Sequence, residues 1–306
     1  MRWIIDTDAG VDDAIGIGIP FAPGNTYDFT LEAMTTVSGN VSVDKVNRNV
    51  GTLLDLLELD VPFYAGCDRP LIAKRETAED FHGEDGLGGN GLSKSNRQPE
   101  AEHAAHAIIR LAKQYEGELG ILALAPLTNI ALACNLDPDL PKRLKKLVIM
   151  GGAWQGLGNQ TSAAEFNFAV DPESAHLVFE RFSDIVLVPW EAAVAHEWPF
   201  ERIASLANRR TVRGIFLWRM CENVIPKLRD VFKHEGFPMP DPMTVAVALD
   251  ESIITSEVAA FVKIDIAHHH GRGLTTLAYR HPHPNARVVT AVNEPRFFEM
   301  LDAAWH

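Results

Sequence analysis

Four carboxylates crowd the stretch Asp6-Thr7-Asp8-Ala9-Gly10-Val11-Asp12-Asp13-Ala14, directly after the apolar pair Ile4-Ile5. Like charges this close repel unless a positive centre lies among them. Hard oxygen donors at a strand end, with Gly10 permitting a tight turn, suit Ca2+ or Mg2+. Capping and turn roles account for one or two of these residues but not for four, because uncompensated carboxylates at the end of a buried strand would lose their charge or destabilise the fold. Asn40 follows Gly39 and suits either a left-handed turn or a sugar-hydroxyl partner. Glu165 and Asn167 flank Phe166; read as strand neighbours, both face one cavity while Phe166 turns away. The glycine-dense segment 82–91 is too polar for a core and reads as a loop over a site.

The elements that must position these residues alternate along the chain. Short apolar runs at 2–5, 30–37, 120–125, 147–150 and 185–188 read as strands. Helical spacing of Ala104, Ala107, Ile108, Leu111, Ala112 and Tyr115 predicts a helix over 100–115. Another helix is expected from Pro126 through Ile130 and Leu132, and a third opens at Asp171-Pro172-Glu173 with Asp as N-cap and Pro at the first position. This alternation favours an α/β sheet sandwiched by helices. With no repeat and no long Gly, Ser or Pro linker, one domain is expected although 306 residues would allow two.

Composition narrows the partners. Lys and Arg number 28 against 41 Asp and Glu, a net charge of −13, which argues against a protein that grips nucleic acid. Cys67, Cys134 and Cys221 are odd in number and widely spaced, so they form neither a disulfide framework nor a thiolate zinc site; they read as buried thiols in a reducing compartment. No apolar run approaches the length of a membrane span. No membrane partner and a cytoplasmic location are expected.

The aspartate stretch resembles the signature of the inosine-uridine-preferring nucleoside hydrolases, whose pattern has Pro where this chain has Ala9. Further blocks fall in family order along nearly the whole chain: Thr35 to Val41, Phe81 to Leu87, Ala125 to Ala131, Ile149 to Ala153, Ala164 to Phe168 with Asp171-Pro172-Glu173, and Asp241-Pro242. The resemblance implies one α/β domain over 1–306, with a mostly parallel central sheet around a Rossmann-like core. It also implies calcium-dependent hydrolysis of a ribonucleoside in nucleoside salvage, and a homodimer or homotetramer. By the same resemblance Ca2+ is held by Asp8, Asp13, Asp241 and the Leu124 carbonyl, and Asp8 is general base on a calcium-bound water. Asp12, Asn40, Asn159, Glu165 and Asn167 grip the ribose, Met150 lines the pocket, and His82 lies in the base-side loop. Such a site suits the chemistry, because an oxocarbenium-like state needs anionic or dipolar groups around the sugar and a poised water on one face.

The chain departs from the pattern at Pro240, where the family carries a His acid or a stacking Trp. Proline has neither a proton to donate nor an aromatic face. His82, Trp154, Trp218, Arg219, Asn223, His234 and Tyr279 are the other candidates for the leaving base, and the amphipathic segment 213–237 is expected to flank the pocket. Consecutive His268-His269-His270 lacks the spacing of a metal site. Two alternatives remain at this stage. One is a ribosyl-binding or altered-substrate member without ordinary nucleosidase activity. The other is a Mg2+-dependent phosphatase of the haloacid dehalogenase type, which leaves Asp12, Asn40 and Glu165-Phe166-Asn167 unexplained.

Overall fold

Ile4 and Ile5, neighbours on the first strand, are both fully buried but belong to different apolar cores. A strand must therefore be covered on both faces, and the architecture follows from that requirement. The structure, a computed structural model, describes residues 1–92 and 94–306.

The strands are β1 (Arg2–Thr7), β2 (Thr30–Thr36), β3 (Phe63–Ala65), β4 (Leu119–Ala123), β5 (Lys146–Met150), β6 (Ile185–Val188), β7 (Trp198–Pro199), β8 (Gly236–Phe237), β9 (Ile254–Ile264), β10 (Thr275–Ala278) and β11 (Ala286–Val292). Nine form one sheet in the order β10-β9-β11-β6-β5-β4-β1-β2-β3. Every pairing from β11 to β3 is parallel, and β9 and β10 complete the far edge antiparallel. Within it β3-β2-β1-β4-β5-β6 is the Rossmann order, and the chain reverses direction across the sheet between β1 and β4. A separate antiparallel ribbon pairs β7 with β8.

One core packs the helices Val11–Gly18, Val43–Leu56, Pro240–Leu249 and Glu294–Ala304 against the face carrying Ile5 and Met34. The other packs Ala104–Gln114, Thr128–Leu136 and Pro172–Arg181 against the face carrying Ile4 and Ile121. Among the described residues no helix is long and apolar enough to cross a membrane.

The expected strands are present within a residue or two. The expected 100–115 helix begins at Ala104, because the His103 side chain accepts the Ala105 N–H and caps it there. The helix expected from Pro126 starts at Thr128. Three expectations change. Glu165 and Asn167 do not lie on a strand: Glu165 is the N-cap of the helix Phe166–Val170, its carboxylate accepting the N–H groups of Asn167 and Phe168. The segment 82–91 is not wholly an outer loop, since Leu87 is fully buried in the core. Cys134 and Cys221 are buried, but Cys67 is only half-buried.

Candidate active site

A cavity of about 620 Å³ opens where β1, β2, β4 and β5 end, beside the switch point between β1 and β4. Open parallel sheets leave a crevice at that place, since the connections on either side lead away in opposite directions. Asp12, Asn40, His82, Leu124, Met150, Asn159, Glu165, Asn167 and Asp241 line it. Asp8 and Asp13 are fully buried next to this wall.

The chain turns sharply after β1, with Ala9 at φ 42°. A proline ring cannot take that backbone, so the turn here is built differently from one carrying the family's Pro. Thr7 Oγ1 receives the Ala9 N–H at 2.9 Å and donates to Asp13 Oδ1 at 2.5 Å, while Asp13 Oδ2 accepts the Gly10 N–H at 3.0 Å. These bonds fix the first turn of the Val11–Gly18 helix with Asp13 facing Asp8. Asn40 holds Asp8 from the other side, its N–H on Oδ2 at 2.7 Å and its amide on Oδ1 at 3.1 Å. Asp241 arrives on the Pro240–Leu249 helix. A Cβ on Gly16 would come within 3.0 Å of the Pro242 backbone, and the absence of that Cβ lets the two helices cross close enough to bring Asp241 to Asp13. Asp6 parts from the other three carboxylates. It accepts from Thr35 Oγ1 at 2.6 Å and Asn129 Nδ2 at 2.8 Å, tying β1 to β2 and to the Thr128–Leu136 helix.

Carboxylate oxygens of Asp12, Asp13 and Asp241 lie within 4.8 Å of one another. Asp12 Oδ1 and Asp241 Oδ1 are buried with no hydrogen-bond partner. Burial, then repulsion from Asp13, holds Asp8 and Asp241 well above the usual carboxylate range. Burial and the Asp12 charge raise Asp13, and burial lifts Asp12 to about 6. Such a set of all-oxygen donors, short of positive charge and of hydrogen-bond partners, fits a hard divalent cation. This group contains Asp12 and not Asp8, both of whose oxygens accept from Asn40.

The remaining expected residues are placed as follows. Asn167 Nδ2 donates to the Leu124 carbonyl at 3.0 Å and touches Met150 Sδ at 3.2 Å, joining three cavity residues. Glu165 accepts N–H groups of Gly152, Asn167 and Phe168, yet burial still raises its carboxyl to about 7. Asn159 Oδ1 accepts the Phe166 N–H at 2.8 Å. His82 Nδ1 accepts the Val11 N–H at 3.1 Å and lies 3.8 Å from Asp12; burial pushes the ring down to about 4, so it is neutral with its proton on Nε2.

Of the leaving-base candidates, only His82 and His234 line the cavity. Trp154 and Trp218 pack against the two cores, Arg219 and Asn223 bond to Asn90 and Gly88, and Tyr279 is exposed. The 268–270 histidines lie in an exposed turn where His269 bonds to the Gly271 N–H. Sequence reasoning missed the aromatic wall of Phe81, Trp190, Phe232 and Phe237. Two signals were available: Phe81 precedes His82, and Phe232 lies in the segment expected to flank the pocket.

A family model described as inosine-uridine preferring nucleoside hydrolase matches residues 3–299. The pyrimidine-specific ribonucleoside hydrolase RihA of Salmonella schwarzengrund (strain CVM19633) is 32% identical over 97% of this chain and 96% of its own length. Among solved structures, a plant nucleoside hydrolase, PpNRh1, superposes with a TM-score of 0.92 at 28% identity, covering 99% of this chain and 98% of the other. A purine-preferring ribonucleoside hydrolase from Gardnerella vaginalis does so at 0.91 and 26%, with the same coverage. The match decides for N-glycosyl hydrolysis over the phosphatase alternative. The chain belongs to the inosine-uridine preferring nucleoside hydrolase family and is an N-glycosyl hydrolase of ribonucleosides.

Proposed function

We propose that this enzyme hydrolyses a ribonucleoside to ribose and free base in a calcium-dependent reaction, with Asp8 as general base toward the attacking water. The observation that carries the reading is the carboxylate cluster, with buried oxygens of Asp12 and Asp241 left without partners, at the wall of a cavity whose other walls offer Asn and Glu side chains. Asp8, Asp13, Asp241 and the Leu124 carbonyl would hold the ion. When bound, calcium supplies the charge that lets these carboxylates ionise together and acidifies a water beside them. Asn40 fixes the Asp8 carboxylate through two hydrogen bonds, so its orientation toward the water is set before substrate arrives. Asp12, Asn40, Asn159, Glu165 and Asn167 meet the ribose hydroxyls, and their negative and dipolar groups favour the positive charge that develops on the sugar ring. Met150 lines the pocket, and His82, neutral and carrying its proton on Nε2, offers a hydrogen bond to the nucleoside.

The test is a panel of inosine, uridine, adenosine, guanosine, cytidine and nicotinamide riboside, assayed for free ribose with calcium and after chelation. At least one is expected to be cleaved, and chelation to stop it. Asp8→Ala should abolish turnover while circular dichroism shows the fold retained; an Asp8→Ala enzyme as active as wild type would refute the base assignment.

A further inference from the structure

A departing nucleobase needs a proton, and Pro240, on the cavity wall beside Asp241, has none to give. Two histidines share that wall. In His82 the Val11 N–H already points at Nδ1, so a second ring proton would set N–H against N–H. His234 is held the opposite way. Its Nδ1 bonds to the Glu197 carboxylate, which can only accept, so Nδ1 donates and Nε2 is left as the atom through which protons pass. Glu197 is itself anchored, its Oε2 accepting the backbone N–H groups of Glu235 at 3.1 Å and Gly236 at 2.8 Å. Those bonds lie alongside the β7–β8 pairing, Trp198 with Phe237 and Pro199 with Gly236, in which Trp198 and Phe237 are buried. The two side chains are 19% and 16% exposed, sheltered from bulk water yet open enough to be reprotonated. Phe232 and Phe237 share the wall with the imidazole, and Phe81 meets Phe232 edge to face, a surface suited to a planar base.

We infer that His234, positioned by Glu197, is the general acid that protonates the departing base in the role Pro240 cannot fill. This rests on the N-glycosyl hydrolase reading above. The C1′–N bond breaks with its electron pair remaining on the base, and the Nε2 proton passes from the imidazolium to that base. Water adds to C1′ and gives its proton to Asp8. Solvent then reprotonates His234 and discharges Asp8, so one nucleoside and one water yield one ribose and one base.

The experiment compares uridine and inosine with p-nitrophenyl β-D-ribofuranoside, whose phenolate leaves without a proton. His234→Gln and His234→Ala are expected to lower kcat on a cleaved nucleoside by roughly 10²- to 10⁴-fold while the aryl riboside loses less than about tenfold. Glu197→Gln is expected to show the same split in kcat, with KM little changed. Equal losses on both substrates, as misfolding or a structural role would give, overturn the inference, and so does an undiminished nucleoside rate. A wild-type enzyme releasing ribose from neither substrate overturns the underlying reading, and the inference with it.

Discussion

Asp8 is closely held in the site. Asn40 grips both its oxygens, and a Cβ on Gly39 would fall inside its carboxylate. Gly39→Ala must therefore displace Asp8, and a shift of this kind is expected to lower kcat/KM by about 10²-fold with little change in the melting temperature. Steady-state rates beside a thermal melt check it. Asp241 carries the opposite expectation. Its Oδ1 has no partner and its charge is opposed by burial and by Asp13, so the Asp241→Asn protein in EDTA should melt above wild type but gain no stability from calcium. A lower melting point in EDTA would contradict the account of the cluster. At this scale the aspartates were legible because their motif is local. Two things were not. Asp6 leaves the group for Thr35 and Asn129, and Glu197 meets His234 across 37 positions of chain, a pairing that exists only once β7 and β8 have joined.

Apolar runs revealed the buried strands because a strand covered on both faces has no polar side to confuse the pattern. The Glu165-Phe166-Asn167 alternation misled because three residues cannot separate a strand from a capped helix start, and Glu is an uncommon cap. The two-residue strands β7 and β8 leave no periodicity at all. Asp171 shows what such joints contribute. It caps the Pro172–Arg181 helix through the Ser174 N–H, accepts Thr128 Oγ1 at 2.6 Å and also receives the Leu71 N–H, linking three segments from one buried carboxylate. Asp171→Ala is expected to cost about 1–3 kcal/mol in denaturant unfolding, since it removes a cap and strands buried donors. The KM for a cleaved nucleoside should stay near wild type, because Asp171 is not on the cavity wall.

Over the whole molecule, buried acids set the pH response. Burial raises Asp6 and Glu165 to about 7 and Asp12 to about 6, so the fold retains protons that the unfolded chain releases near pH 4. These groups favour the fold below about pH 4, and their contribution is lost as pH rises through about 6 to 7. Calcium held by Asp8, Asp13 and Asp241 would compete with the protons that burial and mutual repulsion keep on those carboxylates, so the rise in melting temperature on adding calcium should be larger at about pH 8 than at about pH 5. Equal increments would place the ion elsewhere. The cavity's two ends also hang from unlike supports. Asp8, Asn40 and Leu124 follow, and Met150 ends, inner strands hydrogen-bonded on both sides, while His234, Phe237 and Pro238 ride on or beside a two-residue ribbon outside the main sheet. Substitutions on the ribbon fall outside the hydrogen bonding of the main sheet, whereas those at the Asp8 end fall among residues carried by four of its strands. The two ends of the cavity thus differ in how far a substitution on one is felt by the rest of the fold, the ribbon end being the less constrained.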